Sequence, residues 1–281
     1  MTSVFRKGAP KLQKSGKLTK IISTGLHEMY QLRRKRIYGG SSGFCYRQTS
    51  WPLVCPTSTV STFPASARLY ADIGTVIHEQ FQKAFEKEKI LIAAEWYLGD
   101  VYGINIGGYV DAIVMLDGKP RVIEIKTCGK LPDKVKPDHR AQSLIYSLLT
   151  GIYNPIVLYQ SRNVANWQGV LNTRELEVIA TREELLLTGV NLVAADLCTK
   201  KGLLPPKPIH LTVKSHCGFC TLKDNCFEGM KFHPDVKHAE GVVWEEIRDE
   251  AFKKANWMID NMEARWKELF VEIETKKEEE E

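Results

Sequence analysis

The amino-acid sequence predicts an α/β protein in which helices flank a mixed central sheet. Residues 72–88 place isoleucine and phenylalanine at four-residue steps, which is typical of an amphipathic helix. Residues 90–127 then read as three successive strands, and further helical and strand-like segments follow them. Helices that alternate with strands in this way cover the faces of a sheet.

Caps and breaks set the bounds of the individual elements. Asp117 and Gly118 predict a two-residue hairpin turn. Thr181 and Glu184 predict a helix that opens with a capping box. Residues 45–65 are rich in Ser, Thr and Pro and read as irregular. The predicted helices are 23–36, 72–88, 138–149, 181–199 and 242–275, and the predicted strands are 90–97, 101–116, 120–127, 156–160 and 167–179.

The chain divides into three predicted parts. Residues 1–40 form a basic arm and first helix, residues 41–230 form the core, and residues 231–281 form a C-terminal helix with an acidic tail. The last helix should pack on the core through an apolar stripe at helical spacing. That stripe comprises Ile247, Ala251, Ala255, Met258, Met262 and Leu269.

Composition excludes several classes of protein. The 281 residues are 43% hydrophobic and 26% charged, as in a globular protein in water. No apolar run reaches the length of about 18 residues that a membrane span needs. The N-terminus lacks the apolar stretch and cleavage site of a secretory signal, so we expect a cytoplasmic protein, in the host cell if it is viral.

Positive charge is concentrated at the N-terminus. Residues 1–40 hold ten basic residues and one acid, whereas the chain as a whole carries a net charge of only +5. A basic arm on a near-neutral body suits a polyanion such as DNA, because phosphate contacts release counterions. A solvated, solubilising tail would have the same composition, so both interpretations stay open.

The hairpin around Asp117 brings acidic residues together. Glu124 and Lys126 lie on one face of the strand 120–127, because side chains alternate along a strand. A two-residue turn places Asp111 opposite Glu124, and a four-residue loop places it opposite Lys126. The two registers differ by an even number, so Asp111 shares that face in both.

Neighbouring carboxylates on a mostly apolar hairpin repel each other and lose hydration. Lys126 could neutralise Asp111 and Glu124 in a surface salt-bridge ladder. A divalent cation is the other solution, and hard oxygen ligands favour Mg²⁺ or Mn²⁺. The pattern alone does not choose between them.

Three further motifs accompany the hairpin. His78 lies on the predicted helix 72–88 within a G-x-x-x-H-E pattern. Gln142 and Tyr146 are four residues apart, so they share one face of the next helix. The order of these motifs around Asp111 and Glu124-x-Lys126 resembles the PD-(D/E)XK nuclease superfamily in its RecB-like branch, over about residues 45–226.

This resemblance implies a restriction-endonuclease-like core and a metal-dependent DNA nuclease. It maps the metal ligands onto His78, Asp111, Glu124 and the backbone carbonyl of Ile125. It maps the catalytic lysine onto Lys126, and Gln142 and Tyr146 onto residues that position the active site and the DNA strand.

Cysteines indicate a second metal site. Three of the seven follow the pattern C-x2-C-x5-C, and such close thiolates in a reducing compartment favour a metal over disulfides. In an iron–sulfur branch of the same family, which includes AddB nuclease domains and CRISPR-associated exonucleases, this trio and a distant N-terminal cysteine hold a [4Fe–4S] cluster. The implied ligands are Cys45, Cys217, Cys220 and Cys226, joining the N- and C-terminal parts.

Two alternatives remain at the cysteine site. Cys55 rivals Cys45 as the fourth ligand, although the Cys-x-Arg pattern at Cys45 matches the family better. Zinc rivals the cluster, because His210, His216 or His233 could complete a tetrahedral site. Cys128 and Cys198 read as small core residues.

The function expected from the resemblance is a Mg²⁺- or Mn²⁺-dependent DNA exonuclease directed to single strands or free ends, in recombination, repair, viral genome processing or CRISPR adaptation. The alternative is a non-catalytic nucleic-acid-binding or assembly subunit that keeps the fold. The chain has no helicase P-loop, so a helicase, recombination or CRISPR-adaptation partner would supply any motor. An oligomer is compatible with this function, and a membrane partner is not expected.

Overall fold

The computed structural model describes residues 37–38, 45–54, 65–165, 171–206, 226 and 237–280. The chain forms two units, Met1–Leu32 with Val60–Ile73 and Arg33–Thr59 with Gly74–Glu281. The described part of the first unit is residues 65–73, the start of a helix that continues into the second. All other described elements belong to the second unit.

The strands in chain order are β1 Ile37–Tyr38, β2 Leu91–Tyr97, β3 Asp100–Val101, β4 Ile104–Gly107, β5 Tyr109–Leu116, β6 Lys119–Cys128, β7 Ile156–Ala165 and β8 Leu171–Glu177. The helices are α1 Tyr46–Val54, α2 Ala65–Lys87, α3 Pro137–Thr150, α4 Arg182–Lys200, α5 Gly241–Asp260 and α6 Met262–Glu280. Helices precede, interrupt and follow the strands, which run consecutively from β2 to β6.

The central sheet has five strands in the order β2-β5-β6-β7-β8. Strands β6 and β7 are parallel and joined through α3, whereas the other neighbouring pairs are antiparallel. A smaller sheet has the order β1-β4-β3. The central sheet is therefore mixed, as the sequence predicts.

The β5–β6 hairpin has the two-residue turn. Leu116 pairs with Lys119, and Asp117 and Gly118 between them both have positive φ angles, 49° and 71°. Positive φ at both central positions matches the twist of a hairpin, which explains the Asp-Gly sequence. Of the two predicted registers, the structure has the one that places Asp111 opposite Glu124.

Hydrophobic cores lie on both faces of the central sheet. Ala112, Val114, Ile123 and Ile125 pack against one face of α2, through Ile77, Phe81 and Phe85. Ile73, the first residue of the stripe predicted for that helix, is 45% exposed. All six residues of the predicted C-terminal stripe are buried, and all but Ala255 belong to the larger core on the other face.

The prediction that residues 45–65 are irregular is wrong for residues 46–54, which form α1. The hydroxyls of Thr49 and Ser50 donate to the carbonyls of Cys45 and Tyr46, four residues earlier. These bonds satisfy the polar side chains inside the helix, so both can be buried. Trp51 of the same helix is also buried, with only 3% of its surface exposed.

Two other predicted elements are divided in the structure. The strand 101–116 becomes β3, β4 and β5, because Tyr102 and Gly103, with φ angles of 56° and 66°, turn the chain. The helix 242–275 becomes α5 and α6, which meet at Asn261. The side-chain amide of Asn261 donates to the Trp257 carbonyl at 2.7 Å. It therefore competes with the helical backbone for that acceptor.

The other predicted elements among the described residues are present, but α2 begins at Ala65 rather than at residue 72, and β7 ends at Ala165 rather than at residue 160. The capping box at Thr181 and Glu184 is present at the start of α4. The predicted helix 23–36 lies outside the described residues. Among the described residues, no helix combines the length and apolar character that crossing a membrane requires.

Candidate active site

Three carboxylates form a row across adjacent strands. Asp111 lies in the centre, on β5, and the hairpin register places it opposite Glu124 of β6. On its other side is Glu95 of β2, which lies between the register pairs Ala94–Ala112 and Trp96–Val110. Each carboxylate comes from a different strand, so the sheet fixes the spacing between them.

His78 approaches this row from α2. Its Nδ1 atom lies 3.6 Å from Asp111 Oδ1 and 3.9 Å from Glu95 Oε1. Its Nε2 atom lies 3.0 Å from the carbonyl oxygen of Ile125. A carbonyl oxygen only accepts, so Nε2 carries the proton of that bond. In the neutral ring the lone pair is therefore on Nδ1, directed toward the two carboxylates.

The backbone amide and carbonyl of Ile125 both form hydrogen bonds with side chains. The β5–β6 ladder runs from Leu116–Lys119 to Ala112–Ile123. Beyond it, the Ile125 amide donates to Asp111 Oδ2 at 2.7 Å, while the Ile125 carbonyl accepts from His78. The amide bond fixes the Asp111 carboxyl and leaves Oδ1 facing His78.

Glu124 is a fully buried acid. Its carboxylate forms an ion pair with the ammonium of Lys126, two residues along the same face of β6. Among the described residues, its second oxygen accepts no hydrogen bond. Burial, and then the nearby Asp111 carboxylate, raise the pKa of Glu124 to about 7. A buried acceptor without a partner is costly unless something else satisfies it.

Burial also raises the pKa of Asp111 above its ordinary value, although His78 and Lys126 act in the opposite direction. For Lys126, burial alone would lower the pKa, but the Glu124 and Asp111 carboxylates outweigh it and raise the pKa. Two carboxyls whose pKa values are raised therefore lie beside an ammonium whose pKa is also raised.

One face of α3 lies near this cluster. The Gln142 amide donates to the Tyr146 hydroxyl at 2.8 Å. Tyr146 is buried, and burial followed by the nearby Glu124 charge raises the pKa of its phenol well above the ordinary value. The two residues keep the helical contact that their spacing predicts.

His78, Glu95 and Asp111 could hold a metal ion. One ligand atom from each lies within 4.8 Å of the others. An imidazole nitrogen with carboxylate oxygens suits a divalent cation such as Mg²⁺ or Mn²⁺. The buried Glu124 oxygen without a hydrogen-bond partner fits the same interpretation, because a cation would also relieve its repulsion with Asp111.

Sequence reasoning missed two residues of this cluster. Glu95 lies in β2 between Ala94 and Trp96, and its register with Asp111 depends on a strand pairing that the sequence does not state. Gln82 of α2 donates to Glu95 Oε1 at 2.9 Å and to the Asp111 carbonyl at 2.8 Å. An acidic residue within an otherwise apolar strand was the available signal for Glu95.

The predicted cysteine site is described only in part. Cys45 is buried just before α1, and Cys226 is partly exposed. Cys217, Cys220 and the rival Cys55 lie outside the described residues. Cys128 and Cys198 are buried, as predicted for core residues. None of the four described cysteines is in a disulfide.

Comparisons with known proteins give a structural likeness but no family. No family model matches the chain, and no curated protein matches it. A solved structure described as "Crystal structure of SSO0001" is similar with a TM-score of 0.45 and 18% sequence identity. The similarity covers 76% of this chain and 98% of that one.

Proposed function

We propose that this protein is a metal-dependent DNA nuclease, acting as an exonuclease on single strands or free ends. The observation that carries the proposal is the convergence of His78 Nδ1, Glu95 and Asp111 within 4.8 Å. The Glu124–Lys126 ion pair lies on the neighbouring strand of the same sheet. Carboxylates grouped with imidazole and one ammonium are suited to hydrolysis of a phosphodiester.

His78, Glu95 and Asp111 would hold the divalent cation. Glu124, on the neighbouring strand, is a further proposed ligand that the family resemblance implies, and the Ile125 carbonyl lies 3.0 Å from His78 Nε2. When bound, the cation supplies positive charge at the scissile phosphate and lowers the pKa of a water molecule. The Ile125 amide orients Asp111 through the 2.7 Å bond to Oδ2. Gln82 orients Glu95 in the same manner, through the bond to Oε1.

Lys126 is the catalytic cation of the proposal. Its ammonium stays protonated, because Glu124 and Asp111 raise its pKa. It can therefore stabilise the negative charge that develops on the phosphate in the transition state. Tyr146, whose phenol is close enough to Glu124 to be affected by its charge, and Gln142, which donates to that phenol, would help to position the strand.

The proposal includes a [4Fe–4S] cluster held by Cys45, Cys217, Cys220 and Cys226. Support comes from the C-x2-C-x5-C spacing and from the family that the sequence resembles. The buried position of Cys45 before α1 is compatible with a cluster ligand. The cluster would be structural, since it would join segments far apart in the chain.

The proposed activity is tested with 5′- and 3′-labelled single- and double-stranded DNA, in Mg²⁺, in Mn²⁺ and in EDTA. Wild-type protein should shorten single strands from an end only when a divalent ion is present. Lys126→Ala should reduce the cleavage rate by at least about 100-fold, because it removes charge stabilisation from the transition state.

Lys119→Ala is the matched control, since Lys119 lies on the same strand but is exposed at the hairpin turn. It should cleave at the wild-type rate. Circular dichroism and the melting temperature should show that Lys126→Ala is folded. Full activity in Lys126→Ala, or wild-type protein that never cleaves with either ion, would refute the proposal.

A further inference from the structure

A lysine-rich loop leaves the candidate active site directly. Residues 129–136 connect β6 to α3 and begin three positions after Lys126. Lys130, Lys134 and Lys136 are exposed along this loop. Within the described part of the chain, none of the three takes part in a salt bridge.

Arg174 of β8 holds the middle of this loop. Its guanidinium donates to the carbonyl of Pro132 at 3.0 Å and forms an ion pair with Asp133. Asp133 is the one acid between Lys130 and Lys136. The ion pair thus anchors the loop. It also neutralises the Asp133 carboxylate, which would otherwise reduce the positive charge of the loop.

Tyr159 of β7 holds the end of the loop. Its fully buried side chain reaches the backbone of Lys136, whose amide donates to the phenol oxygen at 3.1 Å. The same hydroxyl lies 2.8 Å from His139 Nδ1, to which it can donate its own proton. Both hydrogen-bonding capacities of the phenol are then used on the loop and on the first turn of α3.

The two anchors are neighbours in the sheet and next to the catalytic strand. Tyr159 and Arg174 are register partners of β7 and β8. Tyr159 is also the register partner of Lys126 in the parallel β6–β7 ladder. The sheet therefore fixes the position of the loop relative to Lys126.

Other charged residues surround the three lysines, and the exposed Arg162 adds a cation beside Gly129 at the start of the loop. Arg140, in the first turn of α3, is bound to Glu184 at 2.7 Å. Asp138 is an exposed acid, and its carboxylate lies 3.6 Å from His139 Nε2. Burial lowers the pKa of His139 to about 4, so this ring adds no positive charge at neutral pH.

We propose that the loop 129–136 binds the phosphate backbone of the DNA strand that enters or leaves the active site. This inference rests on the proposed nuclease function and names the surface that holds its substrate. Lysines bind phosphates as point charges, independent of base sequence. Because the loop is already anchored, little conformational entropy is lost when the strand binds.

The test is the salt dependence of binding to a fluorescein-labelled single-stranded DNA, followed by anisotropy in EDTA so that no cleavage occurs. Replacing Lys130, Lys134 and Lys136 with Gln removes three cations. The slope of log Kobs against log[salt] should become shallower by about 2, because each phosphate contact on a single strand contributes roughly 0.7. Affinity at low salt should fall by on the order of tenfold.

A matched control removes the same charge elsewhere. Lys253, Lys267 and Lys277 are exposed on α5 and α6, and their triple replacement with Gln should leave the slope unchanged. Equal slopes for the loop variant and the wild type would overturn the inference. So would equal changes in the two variants, since that would reflect net charge alone.

The outcomes separate this inference from the nuclease proposal. Protein that binds DNA through the loop but never cleaves it would refute the nuclease and retain the loop. Protein that cleaves normally with an unchanged slope in the loop variant would refute the loop alone.

Tyr159→Phe tests the positioning role without changing any charge. It removes the hydrogen bonds of the phenol with Lys136 and His139, so trypsin should cut faster after Lys134. The affinity for single-stranded DNA should fall, while the slope against salt concentration should stay at the wild-type value. Wild-type affinity and trypsin sensitivity in this variant would contradict the anchoring role.

Discussion

The buried carboxyl of Glu124 lowers the stability of the folded protein at high pH. A carboxyl whose pKa is raised to about 7 by burial and by Asp111 binds its proton more tightly in the folded chain than in the unfolded one. Stability from this group is therefore complete below its ordinary pKa of 4.5 and is lost as pH rises through about 7. A divalent cation bound at the carboxylates would reverse that loss.

Asp111→Asn should stabilise the metal-free protein at pH 8. The amide can still accept the hydrogen bond from the Ile125 amide, but it carries no charge to be buried or to repel Glu124. We expect a gain of about 1 kcal/mol, which raises the melting temperature by roughly 3 °C. Scanning calorimetry in EDTA measures it.

The same scan at pH 5 and with added metal provides the controls. The gain should shrink at pH 5, where the raised pKa values of Asp111 and Glu124 leave more of the wild-type carboxyls protonated. Mn²⁺ should raise the melting temperature of wild-type protein but not of Asp111→Asn. A variant less stable than wild type at pH 8 would contradict the electrostatic explanation.

At the scale of elements, β6 contributes most of the candidate site. It supplies Glu124 and Lys126 on one face and Ile125 in the core of the other. Its ladder with β5 ends at Ile123, which allows the backbone of Ile125 to bond Asp111 and His78 instead. The same strand leads into the lysine loop, so a displacement of β6 would disturb both the site and the loop.

The end of α3 is a point where no side chain fits. Gly151 has a φ of 74°, and a Cβ atom there would lie 2.0 Å from the Met262 carbonyl oxygen and 2.6 Å from the Trp266 amide nitrogen. Both contacts are with backbone, which cannot move aside as a flexible side chain can. Glycine is required here by conformation and by the close approach of α6.

Gly151→Ala should lower the free energy of unfolding by roughly 4 kcal/mol, measured by urea denaturation. Gly118→Ala is the matched control, because its φ is 71° and nothing lies within 4 Å of the added Cβ. It should cost about 1 kcal/mol, the strain of the left-handed conformation alone. Equal losses in the two variants would show that the contact with α6 has no effect.

At the scale of the whole molecule, the proposed cluster would join sequence-distant segments. Cys45 precedes α1, and the trio that begins at Cys217 follows the last strand by about 40 residues, as the sequence numbering shows. A metal that binds only the folded chain adds its binding free energy to stability.

Anaerobically purified protein should be brown, and Cys45→Ser should lose the visible absorption and melt at a lower temperature. Cys128→Ser is the control, since Cys128 is a buried cysteine outside the proposed ligand set. It should keep the absorption. Colourless wild-type protein loaded with zinc would contradict the iron–sulfur assignment, and absorption retained in Cys45→Ser would exclude Cys45 as a ligand.

Local patterns predicted most of the elements of this fold. The Asp117-Gly118 turn, the capping box at Thr181 and the C-terminal stripe depend on neighbouring residues, so they are visible in the sequence and are present in the structure. The helix α1 was missed because its stability comes from burial of Trp51 and from hydroxyls bonded within it.

The sequence by itself determined that Asp111, Glu124 and Lys126 share one face of a hairpin, because a period of two and a short turn leave little freedom. Only the tertiary structure decided that Glu95 and His78 join them. Those contacts depend on the β2–β5 register and on how α2 lies across β6. Neither is encoded by local spacing, since each depends on how distant segments pack around a common core.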